Sequence, residues 1–172
     1  MTTFLADLLA KLRPARMEAA LTEAALVEQT ITVVDEVLEA LGLGDTRDEA
    51  EEGVAWRFQV GSAQIEIGIH DNEILDEPTI EICAPILTLP STRVLAFYRR
   101  CLELNRLMVG CSIGVDNDIV VVAAERRLPG LDRAQFMEML LNVASAADQF
   151  DNDLSQEFGA GMLGTEPAAE EP

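Results

Sequence analysis

The stretch Val54–His70, VAWRFQVGSAQIEIGIH, decides the fold. Val54, Trp56, Phe58 and Val60 alternate with Ala55, Arg57 and Gln59, and Ile65, Ile67 and Ile69 alternate with Glu66, Gly68 and His70. An apolar period of two belongs to a strand with one buried face, and Gly61-Ser62 between the two runs is turn chemistry. The pair reads as a hairpin. An acidic connection, Asp71–Glu77, leads to a third strand, where Ile80, Ile82 and Ala84 alternate with Glu81 and Cys83 and Pro85 and Pro90 bracket the exit.

On both sides of these strands the period turns helical. Upstream, Thr3–Leu12 is a short amphipathic helix with Phe4, Leu5, Leu8, Leu9 and Leu12 on one stripe. Pro14 ends it or begins the next. Helical spacing then runs from Met17 to Leu41 and stops at Gly42, while the β-branched run Thr30–Val34 leaves room for a break near Gln29. Gly44–Gly53 reads as a charged loop. Downstream, Ser91 caps a helix to about Asn105 with Val94, Leu95, Tyr98, Cys101 and Leu102 as its apolar stripe. Leu107, Val109, Cys111, Ile113 and Val115 alternate, Asp116-Asn117-Asp118 turns the chain, and Ile119–Ala124 is a continuous apolar strand that sits centrally in a sheet or is covered on its second face. Asp132 caps a last helix reaching Leu154.

This order predicts an α+β fold, an antiparallel five-stranded sheet with helices on one face in the order α(α)-β-β-β-α-β-β-α. Residues 1–28 form an N-terminal helical extension, 29–156 the α+β domain, and 157–172 a flexible acidic tail. The 172 residues suffice for one ordinary core, and 49% are hydrophobic.

Charge narrows the function. With 31 acidic and 12 basic residues the net charge is −19. Such a surface neither neutralises phosphates nor adheres to an anionic bilayer, so neither nucleic acid nor membrane is expected as a partner. Six arginines between Arg93 and Arg127 read either as internal partners of the abundant acids or as a docking spot for an acidic segment. No apolar run reaches the length of a membrane span and the first residues lack a signal-peptide pattern, which predicts a cytoplasmic protein. Cys83, Cys101 and Cys111 have no metal or redox spacing and read as small buried hydrophobes.

No catalytic constellation emerges. His70 is the single histidine, so any nucleophilic triad would need it, and it reads as a polar-face residue. Asp116 and Asp118 fit a hairpin turn as well as a cation, and Asp151-Asn152-Asp153 lacks the glycine and terminal acid of a calcium loop. No dinucleotide or phosphate-loop pattern occurs. No enzyme activity, cofactor or metal is expected.

The helix ending Cys101-Leu102-Glu103-Leu104-Asn105, two hairpin strands, and Leu128-Pro129-Gly130-Leu131-Asp132 leading into a long acidic helix resemble the YbjN family. The likeness covers Ser91–Leu154 best, and the three strands from Val54 to Ala84 agree in order. It implies a type III secretion chaperone-like fold, often homodimeric; such chaperones are small and acidic and hold a partner's chain extended along apolar patches. Two departures stand out: the first 28 residues exceed what the fold needs, and Leu107-Met108-Val109-Gly110 replaces a Pro-Phe-Gly-like entry.

The first functional expectation is a chaperone-like or adaptor homodimer that binds a protein or peptide client. A helix as short as Thr3–Leu12 is not stable alone, so Phe4, Leu5, Leu8, Leu9 and Leu12 pack on their own domain, a second subunit or a client. Phe97, Tyr98, Val120 and Val122 are the further candidates for a partner or dimer contact. The alternative is a small-molecule or ion sensor using the polar sheet face around Glu66, His70 and Glu81.

Overall fold

The computed structural model of the chain describes residues 16–50, 53–61, 63–72, 74–161 and 163. Helix α1 (Arg16–Ala40) and a 3-10 turn (Gly44–Thr46) precede strands β1 (Arg47–Ala50), β2 (Gly53–Val60), β3 (Ala63–Asn72) and β4 (Glu77–Thr88). Helix α2 (Val94–Asn105), strands β5 (Ser112–Asp116) and β6 (Ile119–Arg127), and helix α3 (Arg133–Phe158) follow. The strands form one sheet in the order β1-β2-β3-β4-β6-β5, antiparallel throughout.

The alternation in the sequence becomes two unlike faces. Trp56, Phe58, Ile65, Ile67, Ile69, Ile80, Ile82 and Ala84 are buried, as are Val120, Val122 and Ala124 of β6. Phe136, Leu140, Val143, Ala147, Phe150 and Leu154 of α3, with Ile31, Val34, Val37 and Leu38 of α1, complete that core. Arg57, Gln59, Glu66, His70 and Glu81 keep to the other face, exposed or half-buried. The run Ile119–Ala124 lies inside the sheet between β4 and β5, next to the edge and not at the centre. Asp132 caps α3, its carboxylate accepting from the Gln135 amide at 2.8 Å.

Several expectations are corrected. The sheet has six strands, because Arg47–Ala50 pairs with β2 as an edge; a charged edge strand carries no apolar alternation to reveal it. Gly53, the first residue of β2, has a φ of +105° and lies so close to β3 that a Cβ would be 2.5 Å from the Ile69 carbonyl oxygen. Helix α1 has no break at Gln29, since burial of Ile31, Val34, Val37 and Leu38 outweighs the β-branched run's weak propensity. Strand β4 continues through Pro85 to Thr88, the register shifting between Pro85 and Leu87, and a bulge is where a strand tolerates proline. Strand β5 starts only at Ser112, leaving Leu107 and Val109 in a loop. Helix α2 is preceded by Arg93 in a left-handed conformation (φ 58°), not capped by Ser91.

The expected tail is also partly ordered, since α3 runs to Phe158 and both Phe158 and Ala160 are buried. Phe4, Leu5, Leu8, Leu9 and Leu12 lie outside the described residues. Among the described residues, no helix is long and apolar enough to cross a membrane.

Candidate functional site

Helix α2 carries more apolar side chains than one face can bury. Phe97, Cys101 and Leu104, spaced four and three apart, turn inward and are buried. Leu95 and Leu102, seven apart and therefore on one side, are 86% and 68% exposed. The following loop adds Leu107 and Val109, each 77% exposed. Single exposed leucines are ordinary, but this is a run of four large aliphatic side chains on one helix and its exit loop.

The orientation that leaves these leucines outside is fixed at both ends of the helix. At its C-terminal end the Asn105 side chain accepts from the Ile113 amide at 2.7 Å and donates to the Ile113 carbonyl at 3.1 Å, fastening α2 to edge strand β5. At its start Arg93 donates to the Glu157 carbonyl at 3.0 Å, and its guanidinium carbon lies 4.9 Å from the centre of the Phe158 ring. Those contacts, one at a helix C-terminus where a cation is favoured, offset a backbone conformation costing roughly 1–2 kcal/mol in a residue with a Cβ. Arg100 pairs with Glu157 at 3.2 Å, and Phe97 meets Phe158 edge-on at 5.2 Å.

Of the contact candidates read from the sequence, Phe97, Val120 and Val122 have no accessible surface. They are corrected: Phe97 points into the core, and Val120 and Val122 fall on the helix-covered side of β6. Tyr98 remains, 38% exposed beside the leucines. Sequence reasoning missed Leu95, Leu102, Leu107 and Val109 as surface residues. It placed Leu95 and Leu102 on the buried stripe, and took Leu107 and Val109 as strand positions. The available signal was that α2 has two apolar stripes and only one can face inward.

Of the six arginines read as partners of acids, Arg99, Arg100 and Arg127 pair with carboxylates, whereas Arg93 and Arg126 bond to a carbonyl and a side-chain amide. Besides Arg93 and Arg100, Arg99 pairs with Glu103 at 2.9 Å, Arg127 with Glu77 at 3.3 Å, and Arg126 donates to Gln135 at 2.7 Å. Such exposed pairs contribute about 0–1 kcal/mol each.

The open sheet face holds the alternative candidates. His70 and Glu81 occupy neighbouring columns, opposite Thr79 and Gly68 respectively. Glu125 anchors a network, accepting from Thr79 Oγ1 at 2.7 Å and Asn72 Nδ2 at 2.8 Å, with His70 Nε2 at 3.9 Å. The hydrogen bonds from Thr79 and Asn72 hold the Glu125 carboxyl below its usual range, whereas burial pushes Glu81 up. Glu66 faces Arg57 at 3.8 Å, and Arg57 also pairs with Asp48 at 3.0 Å. Among the described residues, no three or more His, Cys, Asp or Glu side chains are grouped so as to hold a metal ion. Cys83, Cys101 and Cys111 are free thiols. Burial, reinforced by Glu81, pushes Cys83 up to about 12, and burial raises Cys101 to about 11.

Residues 30–156 match the model of the family YbjN, described as "Putative bacterial sensory transduction regulator". Among solved structures the fold is similar to a chain of the ExsC–ExsE complex, with a TM-score of 0.58 and 14% identity over 73% of this chain and 93% of that one. It is also similar to a chain of the HopA1–SchA chaperone–effector complex (0.52; 10%; 81% and 99%) and to YbjN from E. coli (0.51; 14%; 77% and 95%). At these identities the likeness is one of fold. A comparison with the curated proteins gives no match.

Proposed function

The chain belongs to the YbjN family, and on that premise we propose that it is a non-enzymatic, chaperone-like protein that binds another polypeptide and works as a homodimer in the cytoplasm. The observation that carries the reading is the outward apolar run Leu95, Leu102, Leu107 and Val109, which two anchored helix ends hold in place. Exposed aliphatic surface of this kind marks contact with protein. The neighbours of similar fold in the ExsC–ExsE and HopA1–SchA complexes were solved bound to protein partners, which supports the same class of role.

Charge opposes a second copy least at this face. Two chains of net charge −19 repel one another over most of their surface. Helix α2 and its flanks are the exception, with Arg93, Arg99, Arg100 and Arg106 against Glu103. An isologous contact through this face buries the leucines of both copies. The unit assigned this role is residues 29–156, with 1–28 as an extension that packs on the same chain, the second copy or the client.

A benzophenone amino acid in place of Leu102 in the full chain tests the reading. Irradiation should give covalent adducts to polypeptide, a second copy of this chain included. The same group in place of the exposed Asp148 should give none. Equal or absent cross-linking at the two positions contradicts the proposal.

A further inference from the structure

Strand β4 outruns its neighbour. The pairing of β3 with β4 ends at Glu66↔Cys83, while β4 continues to Thr88 with β6 on its other side. Ala84–Thr88 therefore presents an unpaired edge inside the sheet, with backbone groups that need partners. The chain itself supplies them. After α3, Gly159 adopts φ +67° and its amide bonds to the Ser155 carbonyl at 2.8 Å, which turns the chain back. Ser155 Oγ donates to the Ala160 carbonyl at 2.7 Å, and Ala160 is buried. Thr88 N–H then donates to the Gly161 carbonyl at 3.0 Å, and Leu163 N–H donates to the Ile86 carbonyl at 3.3 Å. Bonds crossing in this way, 88 to 161 and 163 to 86, are those of an antiparallel ladder.

We infer that the β4 edge Ala84–Thr88 is a strand-addition site for an extended, uncharged polypeptide segment, and that Ala160, Gly161 and Leu163 belong to a removable stand-in for that segment. The inference rests on the polypeptide-binding reading and gives it a location. Strand addition draws affinity from main-chain hydrogen bonds and tolerates varied sequences. The described residues of the stand-in, Ala160, Gly161 and Leu163, show the chemistry accepted, small or apolar with no charge. Two ladder bonds hold it to the edge, whereas β6 pairs with the same strand from Thr79 to Thr88. It is thus the piece that opens without disturbing the sheet.

The test uses the full chain labelled with ¹⁵N, its Leu163→Pro and Gly159→Val variants, and a synthetic peptide of residues 159–172 at millimolar concentration. Proline removes the N–H that Ile86 binds, and valine strains the turn at Gly159. In the wild type the Thr88 amide should exchange at least tenfold faster than that of Leu89, which bonds to the Asp118 carbonyl at 2.7 Å within the sheet. In each variant the Thr88 protection should fall a further tenfold, and the peptide should restore it, shifting resonances of Ala84–Thr88. Thr88 exchange as slow as that of Leu89 in the wild type overturns the inference. So does a peptide that leaves the β4 edge of both variants unshifted. Capture at Leu102 with an unshifted β4 edge would sink this inference alone, and the reverse pattern would sink only the reading of α2.

Discussion

Asn105 pairs with the backbone of Ile113 as another strand would, through both ends of its side-chain amide. This gives the Leu104-Asn105 pair of the sequence a physical role: Leu104 is buried beneath α2, and Asn105 satisfies an amide and a carbonyl on the outer edge of β5. Replacing Asn105 with alanine leaves both backbone groups without this partner, and should lower stability by about 1–3 kcal/mol. Aspartate should not rescue it, because a carboxylate cannot donate to the Ile113 carbonyl. Urea titration of the variants followed by circular dichroism measures this, and an unchanged midpoint for Asn105→Ala contradicts the role.

A side chain-to-side chain bond joins α1 to the sheet. The indole N–H of Trp56, buried at 1% exposure, donates to Asp35 at 2.8 Å, and the other oxygen of Asp35 accepts from Arg47 at 3.2 Å. Asp35→Ala strands a buried donor and should cost about 1–3 kcal/mol, while Asp35→Asn keeps an acceptor and should cost less. Trp56 is the single tryptophan, so its fluorescence reports this contact directly during denaturation.

Two carboxylates on the open sheet face should respond to substitution with opposite signs. Glu125 has a depressed folded pKa from the Thr79 and Asn72 hydrogen bonds, so its ionised form stabilises the fold above the ordinary carboxylate range. That contribution disappears as pH falls through the depressed value. Glu81 has a raised pKa from burial, so its charge costs stability at neutral pH. Glu81→Gln should therefore raise the melting temperature at pH 7, with the gain fading as pH drops through the raised value. Glu125→Gln should lower it at pH 7, with the loss fading only below the ordinary range. Shifts of the same sign at pH 7 contradict the assignment.

Cys83 should be a poor nucleophile despite lying on the open face. With its thiol pushed up to about 12 by burial and by Glu81, little thiolate exists at pH 8. Alkylation by iodoacetamide should run on the order of a hundredfold slower than for a peptide cysteine. Site-resolved mass spectrometry provides the rate, and labelling as fast as a peptide thiol contradicts this environment.

The parts of the fold visible in the sequence are those written in apolar period. Strands β2 and β3, the interior β6 and the capped start of α3 all follow from alternation, a continuous apolar run, a turn pair or an N-cap residue. What stayed hidden has other causes. The edge strand Arg47–Ala50 is held by backbone pairing and by Arg57–Asp48 and Arg47–Asp35, none of which leaves a hydrophobic pattern. Pro85 looked like a strand end because its accommodating bulge depends on β6, far away in sequence. On α2, periodicity alone did not separate the buried stripe from the exposed one. Which of two apolar stripes turns inward was decided by Phe158, Asn105 and Arg93, contacts that no local window contains.

The central claim is that the outward face of α2 is a protein interface between two copies, and light scattering on the full chain tests it most directly. The wild type should show twice the 18.7 kDa chain mass, and a Leu95→Asp, Leu102→Asp double variant should show the single mass with an unchanged circular dichroism spectrum. A wild type of single mass, or a variant that keeps the doubled mass, would contradict the account.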